Sequence, residues 1–364
     1  MELNPNKALV ALSGGVDSAA AATLLCRAGK EVVGVFMCMG QTQQSAAAGR
    51  SCCSPRDAAD AQAIAARLGI DFLTHDAGAA MERIKDAFCR AYENGRTPNP
   101  CILCNQWLKF GALFELADAI GAYSVATGHY ARIVRNDGGA ALYRAAARDK
   151  DQSYALFGAA RQRLERMYFP LGDCTDKTQT RAIVKEAGLV VHDKPDSQEI
   201  CFVPDDDYRT LLAERAQRAL RPGPILDIDG RVLGTHNGYG MFTIGQRRGI
   251  RVAAAEPLYV CAIDPVACSI TIAPRRFLYS RGLTADQVNW LADVPQEFRC
   301  TVQIRYNDRG AAALVRQTAP DQIEVIFDQP AFAVTPGQAA VLYDGDKVLG
   351  GGWIDKSMPH AFSK

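Results

Sequence analysis

A short apolar run, Ala8-Leu9-Val10, leads directly into Ala11-Leu12-Ser13-Gly14-Gly15-Val16-Asp17-Ser18, and the helix-prone stretch Ala19 to Leu25 follows. Strand, glycine turn and helix in that order bring bare backbone N–H groups and a helix N-terminus against a phosphate. Gly14 and Gly15 permit positive φ and close approach, while Ser13, Asp17 and Ser18 add polar groups at the helix entrance. A Walker A loop would need Gly-x-x-x-x-Gly-Lys-Ser/Thr, and the chain has no such string. A loop without a lysine for the terminal phosphates reads as a cradle for pyrophosphate held as a leaving group. The plainer alternative is an ordinary glycine-containing strand–helix turn.

The same alternation continues to about residue 130. Glu31 to Met39 is a β-branched apolar strand, Arg56 to Leu68 an alanine-rich helix and Asp71 to Thr74 a short strand. Met81 to Tyr92 and Lys109 to Ile120 carry helical periodicity, and Tyr123 to Thr127 returns to strand. Such alternation implies an α/β fold with a parallel sheet and ligands at the carboxyl ends of its strands. The glycine loop and Thr127-Gly128-His129-Tyr130 both fall at such ends. Met37, near the end of the second strand, is either a packing surface for an adenine ring or plain core. Near residue 205 the style changes. A charged helix over 206–221, the break Arg221-Pro222-Gly223-Pro224 and Gly-rich β segments predict a small β-containing middle domain over 206–285. Short alternating strands then predict a C-terminal β-barrel over 286–364, after an N-terminal domain over 1–205.

With 364 residues, 48% hydrophobic and 22% charged, the chain has the composition of a globular protein of two or three domains. It carries no apolar run of membrane-spanning length and no signal or transit layout at its start, so a cytoplasmic enzyme without membrane association is expected. A net charge of +1 excludes a wholesale polyelectrolyte binder but leaves room for a local RNA-binding patch. Arg247, Arg248, Arg251, Arg275, Arg276, Arg299, Arg305 and Arg309 are the candidates for one; each by itself reads as a solvated charge.

Twelve cysteines are too sparse for a disulfide scaffold. Most are scattered, as small core residues are. Cys101 and Cys104 differ, because the prolines of Thr97-Pro98-Asn99-Pro100 stiffen a loop that presents them as Cys-x-x-Cys just before a helix. A helix N-terminus stabilises a thiolate, which suits a nucleophile or a metal ligand. Cys201 lies far off, in Asp196-Ser197-Gln198-Glu199-Ile200-Cys201-Phe202-Val203. An inert or zinc-knuckle pair is the alternative for Cys101 and Cys104, weakened by the absence of partners at zinc-finger spacing. Cys52-Cys53 reads as a helix-start loop, with a redox or ligand pair as the other reading.

The glycine string resembles the signature of the PP-loop ATP pyrophosphatases. The whole set, namely SGGVDS, Phe36-Met37, TPNP-x-x-x-CN, ATGHY, Lys150-Asp151-Gln152-Ser153-Tyr154, SQEICF, Thr243-Ile244-Gly245-Gln246-Arg247 and Gln303-Ile304-Arg305-Tyr306, resembles the tRNA-specific 2-thiouridylases in order and over nearly the full length. That resemblance implies a sulfurtransferase that uses ATP and Mg2+ to replace the C2 oxygen of the wobble uridine. The oxygen is adenylated, pyrophosphate leaves, and a sulfur nucleophile displaces AMP. It further implies Cys104 as nucleophile, Cys201 as persulfide carrier, and Ala11 to Ser18, Met37 and Gly128 as ATP contacts. Asn105, Gln106 and Trp107 would face the target base, with Trp107 or Tyr130 flanking the splayed ring. His129, Lys150, Asp151, Gln152, Arg305, Tyr306 and Gln338 would contact tRNA at its anticodon loop. The sulfur donor would be a cysteine desulfurase or a persulfide relay carrier.

Cys101 stands where many relatives carry an acidic residue, and a thiol cannot serve as acid and base over the same pH range. Cys101, Cys104 and Cys201 instead match the needs of a three-cysteine [4Fe–4S] site with one open iron, and the sequence leaves this route and the persulfide route open. Both require the three thiols to converge beside the α-phosphate. Two other classes compete. An amidating ligase that adenylates a carboxylate would not need the thiols, and a non-catalytic tRNA-anticodon binder would hold ATP without releasing pyrophosphate.

Overall fold

The computed structural model describes residues 2–40, 55–195, 200–203 and 207–359. Cys52 and Cys53, and Ser197 to Glu199 of the SQEICF stretch, lie outside the described residues. The chain divides into two compact units, Met1–Ile84 with Pro100–Asp206 and Asp346–Val348, and Lys85–Asn99 with Asp207–Gly345 and Leu349–Lys364.

In the first unit, β1 (Asn4–Ala11), β2 (Glu31–Cys38), β3 (Asp71–Asp76) and β4 (Ala122–Ala126) are the strands that the sequence pattern predicts. A hairpin, β5 (Ala131–Asn136) and β6 (Gly139–Arg144), and the short β7 (Met167–Tyr168) follow. Among the described residues, five strands form a parallel sheet in the order β3-β2-β1-β4-β7. β1 is central because Ala8, Leu9 and Val10 are fully buried, as expected of a strand covered on both faces. The chain departs from β1 toward β2 on one side and β4 lies on the other, so the order reverses between β1 and β4. A crevice at the carboxyl ends of those two strands is where open α/β sheets take ligands.

The helix α1 (Val16–Arg27) rises from the glycine loop, and Ala19, Ala20, Ala21 and Ala22 are all fully buried in it. Four methyl groups in a row give a thin helix wall, so α1 sits close to the sheet and to the helix Lys177–Glu186. Its entrance is held in place by packing, which a phosphate cradle requires.

The second unit holds a mixed sheet and a barrel. The strands β8 (Gly223–Leu226), β9 (Val232–His236), β10 (Leu258–Asp264) and β11 (Ser269–Pro274) pair in the order β10-β11-β8-β9. The helix expected over 206–221 is shorter, Arg209–Arg215, with a tight turn at Gln217–Leu220. The strands β12 (Tyr279–Trp290), β13 (Glu297–Gln303), β14 (Ala311–Ala319), β15 (Gln322–Phe332), β16 (Ala339–Asp344) and β17 (Lys347–Pro359) follow. They run β12-β15-β14-β13-β16-β17, and pairing of β12 with β17 closes the barrel. Leu283, Val302, Val315, Val325, Leu342 and Ile354 fill it. Closure removes the edge strands that would otherwise invite aggregation. β12 starts at Tyr279, so one continuous strand crosses the expected boundary at 285/286.

Candidate active site

Gly14 has φ of +72° and a Cβ there would lie 2.4 Å from the carbonyl oxygen of Asp57, so only glycine fits. Gly15 is extended and caps α1 with no side-chain bond to the first-turn N–H groups. Those donors point from the helix entrance, as anion binding there requires. Ser18 closes the loop internally: its Oγ donates to the Gly15 carbonyl at 3.0 Å, accepts the Ser13 N–H at 3.2 Å and meets the Ser13 Oγ at 3.2 Å. Leu12 and Val16 are buried, and Ala11 ends β1. Gly128 packs against the same helix entrance. A Cβ there would come within 2.7 Å of the Asp17 carbonyl carbon and 2.8 Å of the Ser18 nitrogen. The loops after β1 and β4 therefore touch backbone to backbone at the reversal point.

Two lysines far away in sequence brace the loop through its acidic neighbours. Lys177 Nζ donates to both carboxylate oxygens of Asp17, at 2.7 and 2.8 Å. Lys194 Nζ donates to the Gly14 carbonyl at 3.0 Å, to Asp57 at 2.6 Å and to Asp60 at 2.8 Å. Burial weighs against that ammonium, but the hydrogen bonds from Asp57 and Asp60 outweigh it and raise its pKa. Tyr130 is buried, and its hydroxyl donates to Asp17 at 2.9 Å and meets Thr180 Oγ1 at 2.8 Å. Burial, with Asp17 beside it, pushes the phenol pKa up, so it stays a protonated donor. Tyr130 thus braces the loop, with its ring buried and its hydroxyl engaged.

The thiol segment is one helical run whose turns change width. Pro100–Leu103 is a single α-turn, Cys104–Ala112 is a nine-residue stretch of wider π-type turns, and Leu113–Ala119 resumes the α-helix. The sequence predicts a proline-stiffened loop carrying both thiols and helical periodicity only from Lys109; the helical run instead starts at Pro100 and takes in Cys101 and Cys104. Wide turns are rare and are frequently found at functional sites. Cys101 is exposed, Cys104 buried and Cys201 half-buried. Asn105 is 4% exposed; its Nδ2 donates to the Ala155 carbonyl at 2.9 Å while its Oδ1 is buried without a hydrogen-bond partner. Gln106 lies over Gly158, and the Arg83 guanidinium stacks 4.1 Å above the Trp107 ring. Met37 is buried at the end of β2.

Among the described residues, no group of three or more His, Cys, Asp or Glu side chains could hold a metal ion. Cys101, Cys104 and Cys201 are not gathered into such a ligand set, with Cys101 exposed and Cys104 buried, so the three-thiol convergence expected from the sequence is not met; a persulfide route needs only Cys104 and Cys201 to meet during the reaction. The Asp17 carboxylate is engaged by Lys177, so a Mg2+ ion accompanying the nucleotide would be carried chiefly by the phosphates rather than by this side chain.

Three family models match successive parts of the chain: "tRNA methyl transferase HUP domain" over residues 6–205, "tRNA methyl transferase PRC-barrel domain" over 209–274 and "Aminomethyltransferase beta-barrel domain" over 280–354. The tRNA-specific 2-thiouridylase MnmA of Carboxydothermus hydrogenoformans is 44% identical over 359 residues, covering 97% of this chain and 98% of that protein. Its namesake in Rhodopirellula baltica is 41% identical over 390 residues, covering 98% of each. That of Chloroflexus aurantiacus is 43% identical over 350 residues, covering 95% and 97%. The chain belongs to the tRNA-specific 2-thiouridylase family.

The residues that the 2-thiouridylase resemblance assigns to tRNA fall into two groups. Lys150 and Tyr306 are accessible, Tyr306 at 45%. The others hold structure together. Asp151 accepts from Arg144, the Ala145 N–H and Ser153, which fixes the 145–153 turn. Gln152 exchanges two bonds with the Tyr130 backbone, at 2.9 and 2.8 Å. In the second unit, Arg305 donates to the carbonyls of Ile244 and Ala333 and to Thr335, and Gln338 donates to the carbonyls of Thr97 and Pro98. His129 is buried between Phe110 and Phe169. Burial, and then the charge of Lys109, lower its pKa well below 6.5. The neutral ring accepts from Lys109 Nζ at 3.4 Å, leaving Nδ1–H to donate to Thr127 Oγ1 at 2.7 Å. No local signal marks Lys177, Lys194, Asp57, Asp60 or Thr180, because they reach the loop only through the tertiary fold.

Among the described residues, no helix is long and apolar enough to cross a membrane.

Proposed function

We propose that this chain is an ATP-dependent sulfurtransferase that 2-thiolates the wobble uridine of tRNA, with lysine, glutamate and glutamine acceptors expected. The observation that carries the reading is one compact unit holding both an uncapped helix entrance over a glycine loop and a buried thiol, Cys104, on a wide-turned helix. "Methyl transferase" in two of the model descriptions fits less well, since methyl transfer makes no use of a pyrophosphate cradle and paired thiols.

The C2 carbonyl of uracil is a poor electrophile with a poor leaving oxygen. In the first step the O2 atom attacks the α-phosphorus of ATP, the bond to the β,γ-unit breaks, and pyrophosphate leaves. The N–H groups at the start of α1 bind that leaving charge, while Lys177 and Lys194 hold the loop and Asp17 in place. Bound Mg2+ supplies further charge neutralisation on the phosphate oxygens. In the second step the terminal sulfur of a Cys201 persulfide attacks C2, and AMP departs with the former O2. The Cys104 thiolate then attacks the Cys201 sulfur, which frees the thiocarbonyl and leaves a Cys104–Cys201 disulfide for a thiol reductant to reopen. A cysteine desulfurase or a relay carrier reloads Cys201. No step is routed through an iron–sulfur cluster.

We assign catalysis to the domain over 1–205, and tRNA contact to the barrel that opens with β12 at Tyr279 and follows the small central domain, in a cytoplasmic enzyme. Asn105, Gln106 and Trp107 face the base in this reading, and Lys150 and Tyr306 meet the tRNA backbone. The test is pyrophosphate release with cognate transcript, followed by thiouridine analysis. Wild type should give both, and Cys104→Ser or Cys201→Ser should release pyrophosphate once without thiolating. Absence of tRNA-dependent release would point to the non-catalytic binder, and full thiolation without both cysteines would remove the sulfur-transfer scheme.

A further inference from the structure

Several arginines of the first unit are engaged by carboxylates: Arg132 and Arg148 by Asp346, Arg144 by Asp151 and Arg166 by Asp118. Arg83 departs from this pattern. It stands exposed on the helix Gly78–Glu93, and among the described residues its guanidinium has neither a hydrogen bond nor an ion pair. Its neighbour is a ring: the Arg83 Cζ lies 4.1 Å from the centroid of the Trp107 indole. Trp107 is half-buried on the wide-turned run Cys104–Ala112, three residues past the buried Cys104. Among the described residues no aromatic ring packs on that indole, and its Nε1–H has no acceptor. A cation over an exposed ring is a weak stabiliser, so the contact does little for the fold. It does orient the guanidinium, whose planar fork of N–H donors matches a phosphate. The indole beside it offers a π-face, and unstacked bases of RNA loops are held by such stacking. An acidic peptide would use the charge and leave the ring idle; one nucleotide uses both.

We propose that Arg83 and Trp107 form a two-part grip for one nucleotide of the anticodon loop, with the base stacked on the indole and its phosphate on the guanidinium. This rests on the reading of the chain as a tRNA enzyme. It adds a contact from the helix Gly78–Glu93, which lies outside every string of the family resemblance. A nucleotide held on the helical run that carries Cys104 keeps the loop splayed while its uridine is thiolated.

The experiment titrates a cognate anticodon stem-loop into the full-length protein without ATP, following tryptophan emission and, by filter binding, the salt dependence of log K. Comparison with Trp107→Phe isolates the Trp107 emission from that of Trp290 and Trp353. That emission should be quenched on binding. Trp107→Leu should weaken binding about fivefold or more, as loss of one stacked base does. Arg83→Met should lower the salt slope by about 0.7, one single-strand phosphate contact. Arg83→Lys should restore the slope but leave the affinity below wild type, because an ammonium keeps the charge and loses the planar fork. Arg90→Met, at an exposed arginine farther along the same helix, should keep the wild-type slope. An unquenched Trp107, an unchanged slope in Arg83→Met or an equal drop in Arg90→Met overturns the grip. So does a fall in urea midpoint that tracks the lost affinity, which would mark a purely structural pair. Failure of wild type to thiolate, with the quench and the slope change intact, would instead refute the sulfurtransferase reading and leave the grip standing.

Discussion

Gly128→Ala places a methyl group against backbone. Its Cβ would lie 2.7 Å from the Asp17 carbonyl carbon, 2.8 Å from the Asp17 oxygen and 2.8 Å from the Ser18 nitrogen. Ordinary contact begins near 3.4 Å, so about 0.7 Å of movement is needed between the loop after β4 and the first turn of α1. Neither side yields easily, since α1 is packed on its alanine face and Tyr130 is bonded to Asp17 and Thr180. Overpacking of this kind costs about 1–3 kcal/mol. If half of that is felt as a displaced α1 entrance, the apparent KM for ATP rises about twofold to twelvefold, since 1.4 kcal/mol is a factor of ten. Urea unfolding and the ATP dependence of pyrophosphate release measure the two parts. Gly15→Ala is the matched control. Its φ is −99° and the nearest atom to its Cβ is Ser13 Oγ at 3.4 Å, so a smaller stability loss is expected. Unchanged stability and KM in Gly128→Ala, or equal damage in both variants, would refute the packing argument.

Tyr130→Phe removes a buried hydroxyl bonded to Asp17 and Thr180, and urea denaturation should show a loss of about 1–3 kcal/mol; a change within error would mean the network is idle. His129 is held neutral in the fold while the unfolded ring protonates near about 6.5. Because the folded pKa is the lower one, its contribution is complete above about 6.5 and is lost as pH falls below it. Stability of wild type should therefore decline more steeply between pH 7 and 5 than that of His129→Asn, and identical slopes would contradict the assignment. Lys150→Ala should weaken tRNA binding and reduce the salt slope of log K by about 0.7–0.9, one phosphate contact; filter binding at several salt concentrations would expose an unchanged slope.

How legible these features were depended on the range of the interactions that set them. Ala8 to Val10, Glu31 to Cys38 and Ala122 to Ala126 announce buried parallel strands because their apolar runs are local and continuous. The glycine loop is legible for the same reason, as a string of eight residues. The wide turns at Cys104–Ala112 are not, since helical periodicity is similar whichever hydrogen bonds the backbone chooses, and tertiary packing makes that choice. Lys177 and Lys194 were invisible beforehand: they reach the loop across 160 and 180 positions of sequence. Asp151, Arg305 and Gln338 stand out in the sequence by resemblance, but their side chains bind backbone and neighbouring side chains. Strings thus located the segments that matter, while side-chain duties within them came from packing. The start of β12 at Tyr279 shows the same limit, since nothing local separates its first seven residues from the β-rich segment before it.

The central claim is that the uridine oxygen is activated by adenylation before sulfur arrives. Following that oxygen atom is the most direct test. A cognate anticodon stem-loop carrying 18O at C2 of the wobble uridine is thiolated in a single turnover, and the AMP produced is examined by mass spectrometry. The expected result is one 18O atom in AMP for each thiouridine formed and none in pyrophosphate. Unlabelled AMP, with the heavy atom in water or still on the base, would contradict the mechanism at its first step.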